Sequence, residues 1–464
     1  MMRRSADLTP EELESKAYQQ MEKNREKGRN EFYNTKAIVQ SRHHRGKHAG
    51  DDALSQPSAC VPTENADEAQ PVEADGKRKP QTIVFSKLEE LPTDLEGTLA
   101  RMKVSPQDLE ANLSTLANIL SFDDKVKPKR RFYTPEQFAP TQVKGYSKEK
   151  ALNRHPPRML IPAHELFKPM EVRSVKKIFK MSDFLGEGGF GNVVKGRLLQ
   201  KGLYGPNVTA VAIKYQDGSN VGERNLVAME ASIMRYCQHP VIVKLYDCYT
   251  VHQECWLVCE LLEGGTLKEA AESSSTWDES EIAYVARKML TGLQYLHGEK
   301  LAHRDLKNLN VMFTVHAEVK LIDFGLCADL TNGPTVAMVG SPFWMAPEMI
   351  RGEFHSFPVD IWSFMVCLLE LANRHPPDSS NVKRALFNRA VYGFGKDAGL
   401  ENRAAWSDVF VDFLSQGFQM DSSKRATATQ LLEHPFLAKS TSREHMSKML
   451  SQIFTMKTLA ISGI

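Results

Sequence analysis

His303-Arg304-Asp305-Leu306-Lys307-Asn308-Leu309-Asn310, followed shortly by Asp323-Phe324-Gly325, decides how this chain folds. Upstream stand Leu185-Gly186-Glu187-Gly188-Gly189-Phe190-Gly191-Asn192-Val193 and Val211-Ala212-Ile213-Lys214, and downstream stands Ala346-Pro347-Glu348. Taken singly, each glycine reads as an ordinary hairpin turn and each charge as a solvated surface residue. A set of five such motifs in this order and at this spacing does not arise from unrelated turns and core segments.

Together they supply the parts that phosphoryl transfer needs. Glycines at 186, 188 and 191 let a hairpin lie close over phosphates with its amide N–H groups turned toward them, and Phe190 at the tip shields that site from water. Lys214 ends an alternating strand, with Val211 inward and Ala212 toward the nucleotide, and offers a fixed cation for the α and β phosphates. Its expected anionic partner is Glu230, on a helix whose apolar positions 226, 229, 233 and 234 form one buried face. Asp323 and Asn310 offer hard oxygen ligands for Mg2+. Asp305 is placed to accept or orient the proton of an attacking hydroxyl, and Lys307 to neutralise charge on the moving phosphate.

These motifs resemble those of the eukaryotic protein kinases, from about Phe179 to Leu437. The resemblance implies an α+β, bilobal fold, with a β-rich small lobe carrying one helix, a helical large lobe, and ATP with Mg2+ between them. It further implies that Trp256 to Leu262 is a strand and hinge, that backbone groups of Glu260 and Leu262 face adenine, and that Cys259 is the gatekeeper. Val193 and Ala212 would roof the base and Met312 would floor it, under the loop from Leu185 to Val193. Asp360 would brace the catalytic loop, and Arg425 would partner Glu348. Lys307 together with Ser341 resembles the serine/threonine pattern, which implies protein substrates phosphorylated on those hydroxyls. The runs from Asp323 through Arg351 and from Phe413 to Leu437 are most similar to the p21-activated kinases of the sterile-20 group.

A chain of 464 residues accommodates one two-lobed enzyme and a regulatory arm, and a net charge of +2 gives no argument for nucleic-acid binding. Six of the seven cysteines lie in apolar segments without ligand spacing, which suits a reducing cytosol. The chain shows no bilayer-length apolar run and no apolar core behind Met1-Met2-Arg3-Arg4, so the expectation is a cytoplasmic protein without a membrane span.

The arm divides into parts. Residues 1–87 are expected to be mostly disordered, with an exposed helix allowed at 10–35 and a tract at 45–80 too poor in apolar side chains to fold. His43, His44 and His48 read as a solvated basic tract in preference to a metal site. In residues 88–124, Leu91-Pro92-Thr93-Asp94-Leu95 opens a helix, Ser105 caps a second with Pro106 in its first turn, and a third carries Leu113, Leu116, Ile119, Leu120 and Phe122. That stripe needs something to pack against. The stretch resembles the autoinhibitory segment of the p21-activated kinases, with Leu95 where the family has tryptophan and Thr98 in place of a leucine. A small helical module of another kind stays open. The resemblance implies that the segment inhibits in cis and that Lys127, Lys129, Arg130 and Arg131 reach the cleft; a merely solvated charge run is the alternative. A linker spans 125–170, the kinase domain 178–438 and a C-terminal helix 439–464.

Some family features are missing. Lys79-Pro80-Gln81-Thr82-Ile83-Val84-Phe85 lacks the Rho-type GTPase-binding motif that the family places there, so that partner is implied only by the neighbouring match. The family's activating threonine aligns with Ala337. Thr335 is the nearest substitute, and a phosphate on it would face Arg304.

Overall fold

The computed structural model describes residues 81–122, 130–134, 137, 142–143, 146–147, 157–188, 191–273 and 276–462. The expected helix at 10–35, the tract at 45–80, the three histidines, Lys127, Lys129, Gly189 and Phe190 lie outside the described residues.

In the arm, β1 (Gln81–Val84) runs parallel to β2 (Arg130–Tyr133), with Gln81 opposite Arg130. Between them come α1 (Glu96–Met102), α2 (Pro106–Ala111) and α3 (Leu113–Ser121). Lys103 ends α1 in the left-handed region, and Ser105 Oγ accepts the Asp108 N–H at 3.1 Å with Pro106 at the first helical position. The break between α1 and α2 therefore leaves fewer orphan donors. Met102, Leu109, Leu116, Ala117 and Ile119 are buried in a core continuous with the large lobe.

β1 is an ordered strand at the end of residues 1–87, expected to be mostly disordered, because β2 pairs its backbone groups. Arg130 and Arg131 belong to β2, whose Phe132 backbone exchanges hydrogen bonds with Ser121 Oγ of α3.

Beyond the short hairpin β3 (Gln142–Val143) and β4 (Tyr146–Ser147), the chain forms α4 (Ala163–Leu166), β5 (Lys168–Pro169) and α5 (Val172–Ile178). The small lobe follows as β6 (Phe179–Gly188), β7 (Gly191–Leu198), β8 (Ala210–Asp217), α6 (Val221–Tyr236), β9 (Leu245–Val251) and β10 (Glu254–Glu260). The sheet order is β5-β9-β10-β8-β7-β6, antiparallel except where β5 joins β9. The sheet thus recruits residues from the expected linker. One sheet face packs under α5 through Val175, Val194, Val211, Ile213 and Val258. Asn220 Oδ1 caps α6 by accepting the Glu223 N–H. Burial on α6 falls on Val227, Ala228 and Glu230 to Met234, whereas Leu226 is exposed, contrary to the face expected from the sequence. Burial therefore starts at Val227, one residue beyond Leu226.

The large lobe contains α7 (Leu267–Ala271), α8 (Glu279–Gly298), β11 (Leu301–Ala302), β12 (Val311–Phe313), β13 (Val319–Leu321) and β14 (Ala328–Asp329). It continues through α9 (Pro347–Ile350), α10 (Pro358–Asn373), α11 (Val382–Val391), α12 (Asp408–Gly417), α13 (Ala428–Leu432) and α14 (Arg443–Ser462). Capping boxes at Thr266/Glu269, Asp278/Glu281 and Thr427/Gln430 start α7, α8 and α13. α10 is buried from Val359 to Leu371, as expected of a helix that is apolar on nearly every side. Met446, Met449, Leu450 and Ile453 bury one face of α14 in the same core. Six cysteines are free and buried. Among the described residues, no helix is long and apolar enough to cross a membrane.

Arg425 donates to both Glu348 carboxylate oxygens at 2.7 and 2.9 Å, to the Pro358 carbonyl and to the Gln419 carbonyl, with both charges buried. Breaking a buried pair leaves an uncompensated charge, so Arg425→Ala should destabilise the chain by ~3–5 kcal/mol in denaturant titration. A loss within the noise of the titration would contradict this account of the lobe.

Candidate active site

The site is assembled where β7 and β8 face the segment from His303 to Gly325. β7 and β8 are in register, with Val193 opposite Lys214 and Lys195 opposite Ala212. Period-two alternation then buries Val211 and Ile213 and turns Ala212 and Lys214 to the other face. The glycine hairpin closes with Glu187 opposite Asn192 and Gly188 opposite Gly191. Gly191 has φ 153°, and a Cβ there would meet the Tyr215 carbonyl at 2.4 Å, so this position excludes any side chain. Gly186 has open space around its missing Cβ.

Lys214 Nζ donates to Glu230 Oε1 at 2.7 Å and to Asp323 Oδ1 at 3.4 Å. Burial alone would lower its pKa. The charges of Glu230 and Asp323 outweigh burial and raise it, keeping the lysine a cation inside the protein. Gln216, two residues along the same strand face, donates to the other oxygen of Glu230 at 3.2 Å. The sequence reading missed Gln216, although the strand period places it beside Lys214.

The catalytic-loop segment is held by Asp360, which is fully buried. Its two oxygens accept the His303 and Arg304 N–H groups at 2.8 Å each, and His297 Nε2 lies 2.9 Å away. Burial pushes the Asp360 carboxyl up, but the bonds and charges of His297, His303 and Arg304 outweigh it and hold it below the ordinary range. These contacts accompany a left-handed Arg304 at φ 64°. His303 packs on the ring of Phe324, with centroids 5.1 Å apart.

Asp305, Lys307 and Ser341 form a closed triangle. Lys307 Nζ lies 3.0 Å from Asp305 Oδ2 and 2.8 Å from Ser341 Oγ, which donates to Asp305 Oδ1 at 2.8 Å. Asn310 commits its amide nitrogen to Asp305, at 2.8 Å to the carbonyl and 3.1 Å to Oδ2, and its side-chain oxygen is the remaining ligand atom. Asn310 and Asp323 therefore present hard oxygen donors of the kind that Mg2+ takes. Along the hinge, the Glu260 N–H is taken by the Lys244 carbonyl and its carboxylate by Lys320 at 2.7 Å, so of the backbone polar groups only its carbonyl can serve a base. Cys259 and Leu262 are buried, while Val193, Ala212 and Met312 are partly exposed. Leu185 is exposed.

Residues 179–437 match the protein kinase domain model. The chain belongs to the protein kinase family. Its relatives include three proteins of Dictyostelium discoideum, named probable serine/threonine-protein kinases mkcB, mkcC and mkcD. The chain is 38% identical to mkcB over 82% of its own length and 51% of that protein, and 43% identical to mkcC over 61% and 30% respectively. It is 36% identical to mkcD over 72% and 48%. This chain thus spans about half or less of the length of the curated relatives it matches. Lys214, Glu230 and Asp323 share one set of contacts, and Asp305, Lys307, Asn310 and Ser341 share another; the bilobal fold is the one expected.

Glu230→Gln removes a counter-charge from a buried cation. ATP affinity, followed by titration calorimetry, is expected to fall by about tenfold, the scale of one charge-assisted bond. Unchanged affinity would mean that the Lys214–Glu230 contact does not position the phosphates.

Proposed function

We propose that this chain is an active serine/threonine protein kinase of p21-activated-kinase-like type, which transfers the ATP γ-phosphate to protein hydroxyls and is restrained in cis by residues 81–133. The observation that carries the chemistry is the Asp305–Lys307–Ser341 triangle beside an assembled Lys214–Glu230 pair. An incoming hydroxyl replacing Ser341 Oγ as the partner of Asp305 meets a proton acceptor and an ammonium at once. Asn310 and Asp323 would hold Mg2+, which would supply charge neutralisation on the phosphates, and Lys214 would orient them. Val193, Ala212 and Met312 would flank the base, with the Glu260 carbonyl and the Leu262 N–H serving its edge.

The restraint rests on where the arm docks. α3 lies on α9 and α11: Asn118 Nδ2 donates to the Ile350 carbonyl at 3.2 Å, and Lys383 Nζ to the Ile119 carbonyl at 3.4 Å. Asn381 donates to the Arg101 carbonyl at 3.1 Å, and Tyr392 bonds Asp108. A Cβ at Gly352, whose φ is 67°, would meet the end of the Asn118 side chain at 2.9 Å. α11 in turn carries the buried Arg389, which donates to the Phe343 carbonyl just after Ser341 and Pro342. That docking on α9 and α11, with the Lys214–Glu230 pair closed, supports a restraint on the protein-substrate side. This geometry favours competition with the protein substrate over disruption of ATP binding.

The segment around Ala337 is ordered by the backbone: Thr335 and His355 exchange N–H to carbonyl bonds at 3.1 and 2.8 Å. Buried Arg304 donates Nε to the Leu326 carbonyl. Thr335 is tied through its backbone, which supports a loop that orders without a phosphate, the reading we adopt over the phosphothreonine one.

Leu116→Asp places a charge at a fully buried contact and should release the arm. Labelled phosphate from γ-labelled ATP should then appear on serine or threonine of a protein substrate, with kcat/KM for that substrate up by about tenfold and KM for ATP little changed. Equal kcat/KM would remove the restraint, and label on tyrosine would remove the acceptor class. For Thr335→Ala, steady-state turnover of phosphatase-treated protein should match wild type; a large loss would restore the phosphate to the mechanism.

A further inference from the structure

The stretch before β6 was expected to be a linker, yet residues 157–169 are bound along their length to the two elements that must be aligned for catalysis. Arg158 makes six of these bonds, to four residues. Its N–H and Nη1 donate to the two oxygens of Asp329 in β14 at 2.8 and 3.3 Å, and Nη1 also reaches Thr331 Oγ1 at 2.5 Å. Its Nη2 donates to the carbonyl of Glu299, after α8, at 2.9 Å and to that residue's carboxylate at 3.3 Å. The same nitrogen lies 3.4 Å from the hydroxyl of Tyr236, the last residue of α6, whose hydroxyl donates to Glu299 at 2.5 Å. One guanidinium thus joins the end of a small-lobe helix to the chain that follows Asp323-Phe324-Gly325.

The rest of the stretch grips α6 and the sheet. The Ile161 N–H donates to Ser232 Oγ at 3.0 Å, and that hydroxyl donates to the Ala228 carbonyl one turn back, next to Glu230 on the same helix. Leu166 and Phe167 are buried in the large core, and β5 adds a strand to β9, where Lys168 pairs with Asp247 at 2.8 Å. α6 is therefore held from one side by Lys214 and Gln216 and from another by this strap. A helix fixed at one contact alone can swing about it. A helix pinned at Glu230, Ser232 and Tyr236 keeps its carboxylate in place.

We propose that residues 157–169 are an activating strap of the catalytic unit and that Arg158 is a positioning residue, which locks the end of α6 to the β14 segment and so holds Glu230 on Lys214. The proposal rests on the kinase reading above for its effect on turnover. The two carboxylates that bind Arg158 suit a fork with several donors, which a lysine cannot reproduce. Burial raises the Asp329 carboxyl, and the bonds from Thr331 and the Arg158 N–H outweigh it and leave it below its usual range, as befits a carboxylate engaged by fixed donors. The chain would then carry two opposed devices in order: a restraint at 81–133 on the substrate side and a brace at 157–169 behind α6.

The test uses the full chain with Arg158→Ala, Arg158→Lys, Asp329→Asn and the Arg158→Ala/Asp329→Asn double variant. Three quantities are read: amide hydrogen exchange across residues 221–236, kcat and KM for ATP with a protein substrate, and the melting temperature. For Arg158→Ala, faster exchange in α6 is expected together with a kcat lower by about tenfold, the size of lost charge-assisted bonds, at a melting temperature near wild type. Arg158→Lys should recover only part of the loss. The double variant should be no worse than the worse single one. Wild-type exchange in α6 overturns the proposal, whether or not turnover falls, and so does full recovery by lysine. If the chain released by Leu116→Asp transfers no phosphate at all, the kinase reading fails by itself, and α6 exchange in Arg158→Ala still decides the strap.

Discussion

Lys214 and Glu230 bring a cation and an anion together at 2.7 Å in a place that excludes most water, and the arrangement of both lobes follows from having to keep them there. Neither charge is stable alone at that depth. The strand alternation of β8 delivers the lysine, and the buried C-terminal half of α6 delivers the glutamate. Gln216 fills the second carboxylate oxygen, so the pair is hydrogen-bonded as well as charge-balanced. Asp323 approaches the same lysine from the large lobe, which makes the ion pair a meeting point of both lobes.

A parallel constraint operates below. Asp360 accepts two backbone N–H groups as well as contacting His297, and thereby sets the backbone that aims Asp305. The buried Arg425–Glu348 pair ties α9 to the chain around Pro358 at the base of α10. α9 and α11 are also the surface that receives α3. α11 thus meets the segment just after Ser341 through Arg389, and it meets α3 through Lys383.

Much of this was legible because chemistry confines residue type and spacing together. Lys214, Asp305, Lys307, Asn310 and Asp323 each have few substitutes for their task, so the motifs stand out from the sequence and the structure gathers them. Ser105, Pro106 and the apolar stripe of α3 were legible for a different reason: capping and amphipathic periodicity are local. What was not legible depends on tertiary partners. Leu226 fits a helical face by period but lies one residue before burial on α6 starts. Gln81 to Val84 becomes a strand only because Arg130 to Tyr133 lies alongside. Arg158 sits in a stretch with no strong periodicity, and its partners Tyr236, Glu299 and Asp329 are brought to it by three different elements.

The most direct measurement is a single-turnover transfer experiment comparing the chain carrying Leu116→Asp with the same chain also carrying Asp305→Asn, at saturating ATP and Mg2+. The account predicts label on serine or threonine for the first, a rate lower by ~10²–10⁴ for the second, and equal ATP binding by both. Equal transfer rates, or no transfer by either despite bound nucleotide, would contradict it.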